Sequence, residues 1–283
     1  MVRYGIVVAV WSGAVAFAQS PAVPVPGSGQ PGGVQPGGIP VAAPQAQPDP
    51  KLVAHLMAWE KRMKELDNLM CDVDKTEQDN VLKREMKKVG KIFVMKPNYA
   101  WMRLDRAPGM PADPNDFQTW ISDGKSIYEY MGRTKEMVEF KLSPNGGIQG
   151  NLLFEFMSGS ITTAGALRRF DMKLLGQDTN YVHIEIKPTL PNDRTEFETM
   201  VLTFVSPEIA PQFQHLRYLP ASVRMNKNGN RESEIWQFTR NAQVNLKNLT
   251  ADQFRKQTPP ADWKVTQGNA APQAGSGPRI GRP

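Results

Sequence analysis

The sequence predicts a mainly β domain with a few helices (α+β), one curved antiparallel sheet wrapped around an N-terminal helix, and three observations carry this. Thr119 to Tyr130 reads strand, turn, strand about Asp123-Gly124, a pair that can hold the positive φ a two-residue hairpin loop needs. Strand-like runs recur upstream at Gly90 to Pro97 and Tyr99 to Leu104, and downstream from Lys135 to Arg240, with no long helix between them. That argues against parallel βαβ units, whose crossovers are usually helical. Finally, Leu52, Leu56, Trp59, Met63, Leu66 and Met70 recur at steps of four and three, the spacing of one helix face starting near Pro50.

Taken in order, residues 1–18 carry one positive charge at Arg3, an apolar run from Ile6, and Ala16-Phe17-Ala18 before Gln19. This is the pattern of a secretory leader cleaved after Ala18, and its apolar part is shorter than the roughly 20 residues needed to span a bilayer. Residues 19–50 and 267–283 are rich in Pro, Gly, Gln and Ala, with the near-repeat Gln30-Pro-Gly-Gly-Val and Gln35-Pro-Gly-Gly-Ile. Such segments bury too little apolar surface to offset their chain entropy and are expected to be disordered tails. The folded domain is expected over 51–266, long enough for one sizeable core.

Behind the helix, Cys71 to Glu85 is extended and charged with a turn near Gln78-Asp79-Asn80. In the 117–130 hairpin, a two-residue turn pairs Ser122 with Lys125 and Phe117 with Tyr130. Paired residues share a face. Phe117, Thr119, Ile121, Tyr128 and Tyr130 therefore form the expected buried face, with Gln118, Trp120, Ser122, Lys125, Ile127 and Glu129 opposite. Ser143 to Gly147 reads as a loop. Asn151 to Met157, the most apolar short run of the mature chain, and a short helix over Thr162 to Arg169 flank a joint at Gly159. Either a lid or a plain connector filling the end of the sheet fits them. Five strand-like runs follow at 170–175, 181–187, 198–205, 216–225 and 233–240, with Asn228-Gly229 as a second hairpin signal. A short helical turn at 249–254 and Trp263 close the domain.

Chemistry is scarce. The 283 residues carry a net charge of +6 with no Lys/Arg block, which gives nucleic-acid binding little support and leaves weak attraction to an anionic membrane surface open. Cys71 is the single cysteine, so no disulfide forms within the monomer, and a buried core role suits it best. His55, His183 and His215 have no ligand-like spacing, and no nucleophile elbow, phosphate loop or dinucleotide fingerprint is present. No metal, cofactor or catalytic residue is expected, and the chain does not read as an enzyme.

Three stretches together resemble the periplasmic outer-membrane lipoprotein carriers, the LolA-like proteins, whose fold is shared with their outer-membrane receptor (LolB) and with a periplasmic sigma-factor regulator (RseB). They are Gly90 to Trp101, a strand running from Gly90 through Phe93-Val94 to a basic residue and Pro with a Trp nearby; Ser122 to Tyr130, a Ser-Asp-Gly-Lys hairpin followed by two tyrosines; and the amphipathic helix followed by charged strands. The order of elements from about Lys51 to Val265 fits as well, with the Leu-Leu-Phe run where the family has lid helices.

The resemblance implies a half-open antiparallel barrel of about eleven strands whose concave apolar face, closed by short lid helices, holds acyl chains. Each methylene removed from water is worth roughly 0.8 kcal/mol, so such a site needs apolar area and no catalytic group. The expected ligand-binding residues are Trp101, Phe117, Ile121, Tyr128 and Tyr130 on the hairpin face, facing Leu153, Phe156 and Met157 across the hollow. Lys96 stands where the family has Arg before the Pro of the first strand, a point charge in place of a fixed fork, which puts a lid-holding role there in question. The long tails and Glu129 between the tyrosines are further departures. The implied function is a periplasmic, monomeric carrier or chaperone whose partner is an acylated lipoprotein or a lipid. The alternative is an envelope sensor or scaffold that binds a protein or peptide through the same barrel; an ordinary filled core without a ligand also fits.

Overall fold

The computed structural model describes residues 48–109, 113–142, 152–238 and 241–268. The expected leader, most of both tails and the 143–147 loop lie outside them.

Asp49 caps the first helix, α1 (Pro50–Glu65), by accepting from the Lys51 N–H at 2.8 Å, and Pro50 occupies its first turn, where a missing N–H costs nothing. Leu52, Leu56, Trp59 and Met63 form its buried stripe, as the spacing predicts. The helix stops sooner than the stripe. Leu66 is an extended cap residue, and Met70 belongs to the first strand.

Strands β1 (Asn68–Asp79), β2 (Arg84–Met95), β3 (Tyr99–Arg106), β4 (Phe117–Asp123), β5 (Ser126–Met131) and β6 (Glu136–Lys141) make the meander. Helices α2 (Leu152–Ser158) and α3 (Thr163–Arg169) follow, then β7 (Phe170–Gln177), β8 (Tyr181–Pro188), the single turn α4 (Pro191–Arg194), β9 (Thr199–Val205), β10 (Pro220–Lys227), β11 (Glu232–Gln237), β12 (Gln243–Val244) and β13 (Lys264–Gln267). The run expected from residue 216 begins as a 3-10 turn, Pro211–Leu216, and becomes strand only at Pro220. The hairpin falls at the Asn228-Gly229 signal, but Lys227 pairs with Glu232, so the loop has four residues rather than two, with Asn228, Gly229 and Asn230 at φ of 52°, 64° and 62°.

All thirteen strands lie in one sheet of order β13-β6-β5-β4-β3-β2-β1-β11-β10-β9-β8-β7, with β12 also on β1. It is mainly β, curved and open: among the described residues no ladder joins β7 to β13. Among the described residues the half-open sheet thus has thirteen strands rather than about eleven. β13 pairs in parallel with β6, an exception to the otherwise antiparallel ladder that also carries the sheet to Gln267, the first residue of the expected tail.

The hairpin differs from expectation in register. Ser122 pairs with Ile127 and Thr119 with Tyr130, two residues beyond the predicted partners. Gly124 has the positive φ, 87°, whereas the Asp123 side chain turns inward and accepts from the Lys125 and Ser126 N–H groups at 2.8 Å each. A self-bonded aspartate lengthens the loop to four residues. Because side chains alternate with period two, a slip of two leaves the face assignments intact.

Candidate ligand-binding face

Register identifies the inner surface. Leu69, Cys71 and Val73 on β1 align with Val94, Ile92 and Gly90 on β2, then with Ala100, Met102 and Leu104 on β3, and on to Trp120 on β4. Val182, Ile184, Leu202, Phe204, Val223 and Trp236 complete it from the far strands, and these residues share one core with the stripe of α1. Trp59 is its hub, with its ring 5.5 Å from Phe156 of α2 and 5.6 Å from Phe204 of β9.

Over this surface lies α2. Every residue from Leu152 to Met157 is buried, so this seven-residue helix has no solvent-facing side before Ser158. Gly159 ends it with φ of 66°, and the Ser160 N–H returns to the Glu155 carbonyl at 3.1 Å, the bond that closes a left-handed helix end. A Cβ at Gly159 would stand 2.5 Å from Cβ of Met63, so glycine is needed both for the turn and for the close approach to α1.

Polar bonds hold the joint. Thr162 Oγ1 accepts from the Gly165 N–H at 3.1 Å, and Glu60 of α1 accepts from the Thr163 N–H at 2.8 Å. Its bonds to Lys64 and Thr163 hold the Glu60 carboxyl down at about 2. Arg169, at the end of α3, donates from Nε and Nη2 to Asp193 of α4 at 2.7 Å each and from Nη1 to Glu155 of α2 at 2.7 Å. One guanidinium therefore ties three helices.

The structure divides the expected site in two. Leu153, Phe156 and Met157 belong to the inner core, whereas Ile121, Tyr128 and Tyr130 form a separate cluster with Met137, against which Trp101, Phe117 and Trp263 pack. That cluster is on the opposite side of the sheet and does not meet α2. The chain from residue 250 onward covers it: Phe254 packs on Tyr99, Trp263 stacks on Phe117 at 6.1 Å, and the Tyr130 hydroxyl donates to the Gln257 carbonyl at 2.6 Å. The hairpin is buried on both faces, and its more aromatic face is the outer one.

Glu129 corrects the same assignment from the other side. Expected to lie away from the hollow, it lies within it, 4% exposed, directly across from Trp120. Burial pushes its carboxyl up to about 7, against the pull of the Trp120 N–H and the Lys75 ammonium. A carboxyl whose folded value is raised from 4.5 contributes stability that is fully present below pH 4.5 and is lost as pH climbs through about 7. Glu129→Gln is therefore expected to recover about 2–3 kcal/mol at pH 8 relative to pH 4.5. Urea midpoints at the two pH values check this, against a residual slope from Glu196, which burial also raises to about 7.

The remaining candidates have structural partners. Lys96 donates to the Lys64 carbonyl at 2.6 Å, placing a cation at the C-terminus of α1, where the helix dipole favours it, and not on α2 or α3. The Cys71 thiol, pushed up to about 12 by burial, is core. His55 and His183 contact Tyr218 and Thr203 hydroxyls, and His215 offers its carbonyl to Arg62. Among the described residues no three His, Cys, Asp or Glu side chains are grouped to hold a metal, and no helix is long and apolar enough to cross a membrane.

No family model matches the chain, and no curated protein matches it. Solved structures do. An uncharacterised conserved protein from Thermus thermophilus aligns at 10% identity over 77% of this chain and 98% of its own, with a TM-score of 0.43. A LolA superfamily protein from Nitrosomonas europaea aligns at 10% identity over 72% of this chain and 96% of its own, with a TM-score of 0.34. The Pseudomonas aeruginosa MucA/MucB complex aligns at 14% identity over 71% of this chain and 61% of the matched chain, with a TM-score of 0.39. At such scores the case for the fold rests on strand order and the open sheet.

Proposed function

We propose that this is an exported cell-envelope protein that binds acyl chains, of lipids or of lipoproteins, on the concave face of its sheet, and that it acts as a carrier or chaperone without catalysis. The observation that carries this reading is α2, a short helix whose every side chain from Leu152 to Met157 is buried over the inner surface. Its leucines and aromatics are chemically equivalent to an acyl chain, so helix and ligand compete for the same apolar rows. The polar bonds of Glu60 and Arg169 seat the pair of helices from outside that surface, and Gly159 supplies a joint about which α2 can leave it.

Competition makes a definite prediction. Phe156→Ala takes a ring from Trp59 and weakens the seating of α2, so a fluorescent fatty acid should bind the variant at least tenfold more tightly than wild type, about 1.4 kcal/mol of lid energy. Tyr128→Phe, on the outer face, should leave probe binding unchanged. Fluorescence titration of both variants checks the ordering, and absence of saturable binding in wild type and Phe156→Ala alike would remove the acyl reading.

A further inference from the structure

Beyond Val73, Gly90 and Leu104 the inner face turns polar. Lys75 and Lys88 face each other across β1 and β2, Gln118 and Trp120 project from β4, and Glu129 stands opposite Trp120. All five are buried. Lys75 is neutralised by Glu77 at 2.5 Å and Glu234 at 3.5 Å, with its ammonium 4.8 Å over the Trp236 ring.

Lys88 is different. It is 6% exposed, its ammonium donates to Gln118 Oε1 at 3.2 Å, and no carboxylate among the described residues lies within ion-pairing distance of it. Gln118, having given its oxygen to Lys88, leaves Nε2 buried and without a partner, and the Trp120 indole N–H, although on the Glu129 side, closes no hydrogen bond of good geometry. Glu77 and Asp116 offset only part of the burial that disfavours the Lys88 ammonium, and an anion would meet that ammonium, the free Gln118 N–H and the Trp120 N–H together.

We propose that Lys88, Gln118 and Trp120 form an oxyanion site at the polar end of the concave face, and that its occupant is the carboxylate of a free fatty acid whose chain lies along the apolar rows toward Leu69. This rests on the acyl-chain reading above and narrows its ligand. Ester-linked and amide-linked acyl chains have no charge to offer Lys88, so the site discriminates free acid from esterified lipid. Glu129, its carboxyl raised to about 7 by burial, is about half ionised at neutral pH and sheds that opposing charge as pH falls.

The test compares sodium oleate with methyl oleate on the whole mature protein at pH 7, in wild type and in Lys88→Met. Wild type is expected to bind oleate at least tenfold more tightly than the ester, and Lys88→Met to abolish that preference while leaving ester affinity unchanged. Equal binding of the two lipids by wild type, or a preference that survives Lys88→Met, would overturn the site and leave the acyl reading standing; the buried donors would then hold only water. If Lys88→Met does not fold, the Trp120 indole NMR resonance in wild type decides, since it should move with oleate and not with methyl oleate. If neither lipid binds, the acyl reading fails by itself. A shift of that resonance with acetate but not with sodium chloride would then keep the oxyanion site, and no shift would end it.

Discussion

Trp59→Ala is expected to lower the unfolding free energy by about 3–5 kcal/mol, the range for truncating a large buried aromatic. Trp59 is fully buried and joins three elements, α1 through its backbone, α2 through Phe156 and β9 through Phe204. Truncation opens a void among side chains anchored on different segments, and a sheet cannot collapse locally to fill it. The indole N–H makes no hydrogen bond, so Trp59→Phe should recover most of the loss. Urea unfolding followed by far-ultraviolet circular dichroism measures both. A cost under about 1 kcal/mol for Trp59→Ala would mean a loosely filled inner core.

Arg169→Leu should have an effect of similar size by another route, about 3–5 kcal/mol at neutral pH, because it strips the cation from buried carboxylates. Glu155 and Asp193 both lose their bonds to the guanidinium, close to Glu196, whose carboxyl burial already raises to about 7. Without Arg169 the three carboxyls repel one another and their proton affinities rise. The variant's folded state then holds protons that its unfolded state has released, so its deficit shrinks toward pH 4.5 and grows above neutrality. Arg169→Lys keeps the charge but loses the two-pronged contact with Asp193, and an intermediate cost is expected. Thermal melts of the three proteins at pH 5 and pH 8 give the comparison. A pH-independent deficit would show that Arg169 acts by packing on Phe170, 5.0 Å from its guanidinium, rather than by charge.

Most strands and the first helix were legible because their signals are local. The stripe of α1, the Asn228-Gly229 turn and the alternation of β4 and β5 each depend on neighbours in sequence. What covers a strand does not. Trp101, Phe117, Ile121, Tyr128 and Tyr130 do share a face, but which side of the sheet that face takes is fixed by the chain around Phe254 and Trp263, more than a hundred residues away. An apolar count favoured the wrong side, since the inner face of the hairpin has Gln118 and Glu129 beside Trp120 and Ile127.

The polar inner end was hidden for a related reason. Lysines and glutamates are almost never fully buried unless paired, so nothing local in the sequence marks Lys75, Lys88 and Glu129 as interior. Only the register across β1 to β5 brings them together. Leu153, Phe156 and Met157 could be placed inside from composition alone, because a run that apolar has nowhere else to go. The parallel strand β13 gave no signal, being four residues with Val265 half exposed and its partner, β6, distant in sequence.

Hydrogen exchange at the amides of residues 152–158, with and without saturating oleate, bears most directly on the claim that α2 occupies the acyl site. If helix and ligand compete, oleate should speed exchange across α2 while slowing it in β1, β2 and β3, whose inner side chains the chain would cover. Binding of oleate with α2 protection unchanged or increased would contradict the account, because the ligand would then lie somewhere other than under the helix.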